Sequence, residues 1–370
     1  MISFEALANA GVGDLPVYEP GRPIVDVARE LGFLDASEIT KLASNENSLG
    51  PSPLAMEAIA AHASNMHLYP DGGAFHLKQA LGEKLGVEPD QVLIGNGSNE
   101  LIEFIGHVFL GPEAGIVMAD CAFVAYKLIA AMFKAPVVTV PMLSLTHDLD
   151  AMLAAIRPDT RVVFVANPNN PTGTIVTPEA IHDFMSQVPD HVIVVFDEAY
   201  VELLPVDHQP ATLDYVRQGR NVIVLRTFSK TYGLAGLRVG YAIAPPSCIA
   251  LLNRVRQPFN VSAMALVAAE AALGDDAHVA RTRQLVTDGL RELCSAFETL
   301  GLSYVPSSVN FVLVEVGEGR SCFDALQKCG VIVRPMDGYG LPDHVRITVG
   351  THDENQRCID ALKAILGARA

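Results

Sequence analysis

The stretch "NVIVLRTFSKTYGLAGLRVGYAIA", residues 221–244, consists of two apolar runs joined by a polar, glycine-containing segment. The first run does not alternate polar and apolar residues, as expected of a strand buried on both faces of a sheet between helices. The joining segment holds Lys230 directly after a hydroxyl residue, and Arg238 eight positions on. Lysine and arginine belong at the surface by default, so an amine and a guanidinium at this place call for a chemical reason.

The same rhythm extends outward. "QVLIGNG" (91–97) leads into "SNELIEFIGHVFL", "AGIVMAD" (114–120) into "FVAYKLIAAMF", and "APVVTVP" (135–141) follows. "RVVFVANPNNPTG" (161–173) leads into "PEAIHDFMSQV", and "HVIVVFDEAY" (191–200) precedes the opening stretch. Apolar strands alternating with helical patterns predict an α/β fold with helices on both faces of a sheet. After residue 246 the pattern changes to long helices, "SAMALVAAEAAL" and "AHVARTRQLVTDGLRELCSAFETLG". A smaller βαβ-like set follows, and a last helix opens at Thr351 and Glu354 with capping-box spacing. The expected division is a large domain over 45–250 and a small domain made of 1–44 and 251–370.

The chain has 370 residues, half of them hydrophobic and 18% charged, which suits a globular protein of more than one compact unit. A net charge of −16 repels a phosphate backbone, so no nucleic acid is expected as a partner. A small anionic substrate would need local arginines. The six cysteines show no CxxC and no ligand-like spacing with histidine, so no metal is expected, and they read as reduced thiols of a cytoplasmic protein. No apolar run approaches the roughly 20 residues of a membrane helix, so no membrane is expected. The start, "MISFEALANAGVGDLP", lacks the basic region of a signal peptide.

The unusual polar clusters all fall at predicted strand ends, where doubly wound sheets bind ligands. Ser98 and Asn99 open a helix after "VLIG", a place for backbone N–H groups to meet a phosphate. The segment is equally an ordinary turn when taken alone; it lacks a third glycine, and no P-loop occurs. Asn170 in "NPNNPTG" is either turn chemistry or an amide held toward the ligand. Asp197 ends an apolar run, as a cap or as a buried carboxylate in need of a cationic partner. Tyr200 lies three residues on, and Thr227, Ser229 and Lys230 follow "VIVLR". Lys230 is either solvated or a reactive amine depressed by desolvation and by Arg238, which in turn suits a dianionic phosphate. A phosphate cup, a ring-nitrogen carboxylate, two ring-oxygen donors and a Schiff-base lysine together describe the site of pyridoxal 5′-phosphate.

Taken in order, "YEPGRPIVDVARELG", "KLASNENSLGPSP", "YPDGG", "GNGSNE", "NPNNPTG", "DEAY", "SKTYGLAGLRVGY", "RQPFNVS" and "VRITVGTHDEN" resemble the fold-type I pyridoxal-phosphate aminotransferases, most closely the histidinol-phosphate aminotransferase family. The resemblance spans nearly the whole chain. It implies an aspartate-aminotransferase-like fold, with a mostly parallel seven-stranded sheet in the large domain and a smaller α+β domain. It implies that Lys230 carries the cofactor, that Asp197 pairs with the ring nitrogen, and that Asn170 and Tyr200 bind the ring hydroxyl oxygen. Ser98, Asn99, Thr227, Ser229 and Arg238 would hold the phosphate, and Phe123 would stack on the ring. Tyr69 would reach the phosphate of a neighbouring subunit in a homodimer with shared sites. Arg346, Arg334, Tyr18 and Asn47 would bind the substrate. Ser48 and Cys121 depart from the residues usual in the family and bear on specificity.

The implied reaction moves the amino group of L-histidinol phosphate to 2-oxoglutarate in two half-reactions, with Lys230 shuttling the proton, in histidine biosynthesis. An aromatic amino acid aminotransferase is the nearest rival on the same scaffold, and a threonine-phosphate decarboxylase a third reading. Outside transamination stand a nicotinamide-dependent oxidoreductase, which the missing GxGxxG opposes, and a non-catalytic regulator.

Overall fold

The computed structural model describes residues 3–8, 12–15, 24–33 and 35–367. The first strand, β1 (Thr40–Lys41), precedes seven that form one sheet. These are β2 (Val92–Gly95), β3 (Gly115–Ala119), β4 (Val137–Val140), β5 (Thr160–Ala166), β6 (Ile193–Asp197), β7 (Val222–Thr227) and β8 (Gly240–Ile243). Their order is β2-β8-β7-β6-β5-β3-β4. Only β8 runs against its two neighbours, so β2, β5, β6 and β7 all end at the same edge.

Successive side chains of a strand point to opposite faces, and the two apolar cores of this unit follow that period. Val163 and Val165 pack with the helices Pro53–His62, Phe75–Leu85, Pro178–Gln187 and Ala263–Leu273. Val162 and Phe164 pack on the other face with Gly97–Phe109, Ala125–Met132 and Pro246–Val255. Burial on both faces is the reason these strands carry no polar alternation.

The smaller unit contains β9 (Tyr304–Val305), β10 (Phe311–Glu315), β11 (Val331–Ile332), β12 (Arg334–Pro335) and β13 (His344–Thr348). Four of them form an antiparallel sheet, β12-β13-β10-β9. The expected βαβ arrangement is not formed, because the N-terminal segment takes the edge of β11: Thr40 N donates to Gly330 O at 2.8 Å and Leu42 N to Ile332 O at 2.7 Å. Val27, Leu42, Leu293, Val312, Ile347 and Leu362 build the core there. The closing helix, His352–Gly367, starts with reciprocal bonds between Thr351 and Glu354.

The expected 250/251 boundary falls inside the helix Pro246–Val255. Val261, Ala265, Ala268, Ala272 and Val279 still pack into the core of the large sheet. The helix Asp276–Thr299 then crosses over, with Leu293 and Phe297 in the other core. Among the described residues no helix is long and apolar enough to cross a membrane, and none of the six cysteines forms a disulfide.

Candidate active site

The polar clusters at the ends of β2, β5, β6 and β7 meet around one cavity of about 330 Å³, which also reaches Ser44 and Glu46 from the segment before the large sheet. Ser98, Asn99, Phe123, Asn170, Asp197, Tyr200, Thr227, Ser229, Lys230 and Arg238 all line it.

One end is an anion cup. Ser98 and Asn99 lie in the first turn of the helix Gly97–Phe109, where backbone N–H groups have no helical acceptor. Gly97 has φ +75°, and a Cβ there would lie 2.5 Å from Arg238 Nη2. A Cβ on Gly240 would lie 2.8 Å from Ser98 N. Two glycines thus let β8 and the guanidinium close on the helix end. Ser229 N donates to Thr227 Oγ1 at 3.1 Å, whose hydroxyl donates to Ser229 Oγ at 3.0 Å. Arg238 Nη1 donates to Ala235 O at 3.2 Å. Behind the cup, Glu100 Oε2 accepts from Asn96 N and from Asn260 Nδ2, each at 2.6 Å.

Asp197, the last residue of β6, is buried at the opposite end. Its Oδ2 accepts the Tyr126 hydroxyl at 2.7 Å, whereas its buried Oδ1 has no partner. Burial pushes the carboxyl up to about 6, against the pull of the Tyr126 hydroxyl and the Ala199 N–H. In place of the cationic partner expected for Asp197 stand a phenol hydroxyl and an oxygen without a partner. An unpaired buried acceptor is costly unless something fills it, and a protonated ring nitrogen does.

Lys230 stands between these ends. Its Nζ donates to Ser44 O at 3.2 Å and lies 5.6 Å from the centre of the Tyr200 ring. Burial, then the Arg346 and Arg238 charges, bring the amine down to about 8, while Glu46 acts in the opposite direction. The Tyr200 oxygen accepts from Asn45 Nδ2 at 2.9 Å, and burial pushes this phenol up to about 12, so it keeps its proton. Arg346, on β13, reaches across from the small unit: Nη1 donates to Asn170 Oδ1, and Nη2 to Ala43 O at 2.8 Å. An anion cup, a buried carboxylate with a vacant oxygen, a phenol and a depressed amine fit the parts of pyridoxal 5′-phosphate.

Of the expected residues, Asn47, Arg334, Arg346 and Tyr69 are not among those that line the cavity. Asn47 is committed to the framework: Nδ2 donates to Thr231 O at 2.9 Å and Thr282 Oγ1 at 3.0 Å, and the residue does not line the cavity. Arg334 sits on β12 directly opposite Arg346, outside the lining. Tyr69 is 83% exposed, stacked on Phe259 at 4.8 Å, away from this chain's cavity. Tyr18 lies outside the described residues. Sequence reading missed Tyr126, Asn45, Ser44 and Glu46. Tyr126 stands three positions after Phe123, just inside the helix Ala125–Met132, and that nearness in the chain was the signal available.

The sequence model of the family described as "Aminotransferase class I and II" matches residues 37–362. The chain belongs to this family, and its fold is that of an aminotransferase. More particularly, it is 52% identical over 366 residues to the histidinol-phosphate aminotransferase of Akkermansia muciniphila, covering 99% of this chain and 100% of that one. It is 50% identical over 351 residues to the histidinol-phosphate aminotransferase of Moorella thermoacetica, covering 94% and 90%. Among solved structures it is similar to the histidinol-phosphate aminotransferase of Sinorhizobium meliloti in complex with pyridoxal-5′-phosphate, with a TM-score of 0.88, 29% identity and 98% of each chain covered.

Proposed function

We propose that this chain binds pyridoxal 5′-phosphate and transfers the amino group of L-histidinol phosphate to 2-oxoglutarate, a step of histidine biosynthesis. The observation that carries the cofactor is the unpaired, buried Oδ1 of Asp197, a residue that lines the same cavity as Lys230 and the anion cup. The substrate rests on the similarity to histidinol-phosphate aminotransferases over the whole chain.

When bound, the cofactor supplies an aldehyde that takes up the amine and a ring that accepts an electron pair from the substrate carbon. Ser98 and Asn99 N–H groups, Thr227, Ser229 and Arg238 hold its phosphate. Asp197 keeps the proton on its ring nitrogen, and Asn170 and Tyr200 bind its ring oxygen. Phe123 covers its face. Lys230, once released, moves the proton from the substrate carbon, help worth about 10²–10⁴-fold. Arg346 holds the anionic end of the donor, with Arg334 beside it and Tyr18 assisting. Donor and acceptor use the same groups in turn, so ping-pong kinetics follow.

A homodimer with shared sites belongs to the same proposal, with Tyr69 reaching the phosphate of the partner's cofactor. Leu68, Tyr69, Phe75 and Phe259 are exposed together, a grouping typical of a protein interface. The absence of disulfides among the six cysteines accords with a cytoplasmic setting.

The test has two arms. Incubation with pyridoxal phosphate and borohydride is expected to fix a pyridoxyl group on Lys230 of the wild type and none in Lys230→Ala. Glutamate formation from 2-oxoglutarate, measured with a panel of donors, is expected to show the highest kcat/KM for histidinol phosphate. A clear preference for phenylalanine would overturn the substrate, and no turnover with any amine would overturn the enzyme.

A further inference from the structure

Tyr126 is the side chain that touches both the carboxylate and the ring-stacking residue of the cavity, and the mechanism above leaves it without a task. Its hydroxyl, fully buried, donates to Asp197 Oδ2 at 2.7 Å. Its ring is stacked on Phe164 at 4.4 Å with an interplanar angle of 9°, and meets Phe123 edge-on at 5.8 Å and 89°. Phe164 and Asp197 belong to the adjacent parallel strands β5 and β6. The phenol is therefore held by packing on one strand and by a hydrogen bond on the next, and has no room to swing away.

We infer that Tyr126 is a positioning residue that fixes the rotation of the Asp197 carboxylate, occupying Oδ2 so that Oδ1 is the oxygen presented to the cavity. The inference rests on the reading of Asp197 as the partner of the cofactor's ring nitrogen. A carboxylate has about four acceptor directions. Beside the Ala199 backbone N–H, Tyr126 is the side-chain donor to the carboxylate, and without it the group is freer to rotate and lose its aim at a ring nitrogen. The same bond keeps the carboxylate charged. Burial and the neighbouring Glu198 favour its protonated form, whereas Tyr126, the Ala199 N–H and Lys230 across the cavity favour the charged form. Tyr200 also faces it. Removing the phenol oxygen therefore lets Asp197 take up a proton at higher pH.

The experiment measures equilibrium binding of pyridoxal phosphate to the cofactor-free protein from pH 5 to pH 8, for the wild type, Tyr126→Phe, Asp197→Asn and the double variant. Tyr126→Phe is expected to bind about tenfold more weakly at neutral pH, as suits the loss of a hydrogen bond to a charged group. The acid limb of its binding curve is expected to move up by about one pH unit. In turnover, kcat is expected to fall with the donor KM unchanged. The double variant is expected to bind no worse than Asp197→Asn alone, because a residue acting through Asp197 has nothing further to lose. A lower melting temperature in Tyr126→Phe with an unmoved acid limb would reduce Tyr126 to a packing residue and overturn the inference. So would additive losses in the double variant, which also keeps the test open if Tyr126→Phe alone folds poorly. If the wild type does not bind the cofactor at all, the functional proposal itself falls, a different result from either.

Discussion

At the scale of the residue, the amine of Lys230 is where function opposes stability. In the unfolded chain a lysine amine titrates near 10.5; in the cavity, burial and the Arg346 and Arg238 charges lower it to about 8. Between those values the unfolded chain holds a proton that the folded one lacks. Stability therefore rises with pH across that window, and the penalty is fully present below it. Lys230→Met, which fills a similar volume without a charge, is expected to be more stable than the wild type without cofactor at pH 7, on the order of 1–3 kcal/mol. The gap should close as pH rises from 8 toward 10.5. Urea unfolding at several pH values measures it, and a variant less stable than the wild type at pH 7 would contradict the assignment. Lys230, Asp197, Thr227 and Ser229 were legible in the sequence because each ends or directly follows an apolar strand, and chemistry at strand ends is a local signal. Tyr126 and Asn45 were not, since their partners Asp197 and Tyr200 lie 71 and 155 positions away. Ser44 and Glu46 reach the cavity, while the amide of Asn47, which follows them in the chain, bonds to Thr231 and Thr282.

At the scale of the element, the anion cup depends on how closely β8 approaches the first turn of the helix Gly97–Phe109. A Cβ on Gly240 would lie 2.8 Å from Ser98 N and 2.9 Å from Gly97 C, both backbone atoms that cannot turn aside. Gly240→Ala must therefore displace the helix end or the strand. The N–H groups aimed at the phosphate move with it, and several charge-assisted bonds lengthen. The variant is expected to bind pyridoxal phosphate about tenfold or more weakly. Its affinity for pyridoxal, which lacks the phosphate, should change little. Titrating both ligands separates a damaged cup from a damaged fold: an equal loss for the two would count against the cup. The strands around this site were readable because two-sided burial strips them of polar alternation. The helix Ala263–Leu273 was harder to place. Its sequence, "AMALVAAEAAL", is apolar nearly all round and has no polar face to indicate which core it joins. Sequence reading therefore put it with the small unit, whereas its alanines pack against the large one.

At the scale of the whole molecule, a chain of net charge −16 places Lys230 and Arg238 on one cavity, with the Arg346 charge acting on Lys230, so an anion would be held there by local rather than global charge. One expected phosphate ligand is missing from that cavity. Tyr69, 83% exposed and stacked on the 46% exposed Phe259, does not line its own chain's cavity. Leu54, Met56, Met66, Leu68 and Phe75 are exposed on the same part of the chain. An apolar face of this kind suits a two-fold interface, in which each copy offers the same patch to the other. If Tyr69 serves the partner's site, defects in Lys230 and Tyr69 must complement each other in a mixed dimer. Co-expression of Lys230→Ala and Tyr69→Ala chains, with different tags to isolate the heterodimer, gives one site carrying both defects and one carrying neither. The heterodimer is then expected to show about half the wild-type activity at limiting donor, although the Lys230→Ala homodimer is inactive and the Tyr69→Ala homodimer impaired. If each site is instead built from a single chain, every Lys230-containing site in the heterodimer keeps the Tyr69 defect. Its activity would then be half that of the Tyr69→Ala homodimer, which separates a shared site from two self-contained ones.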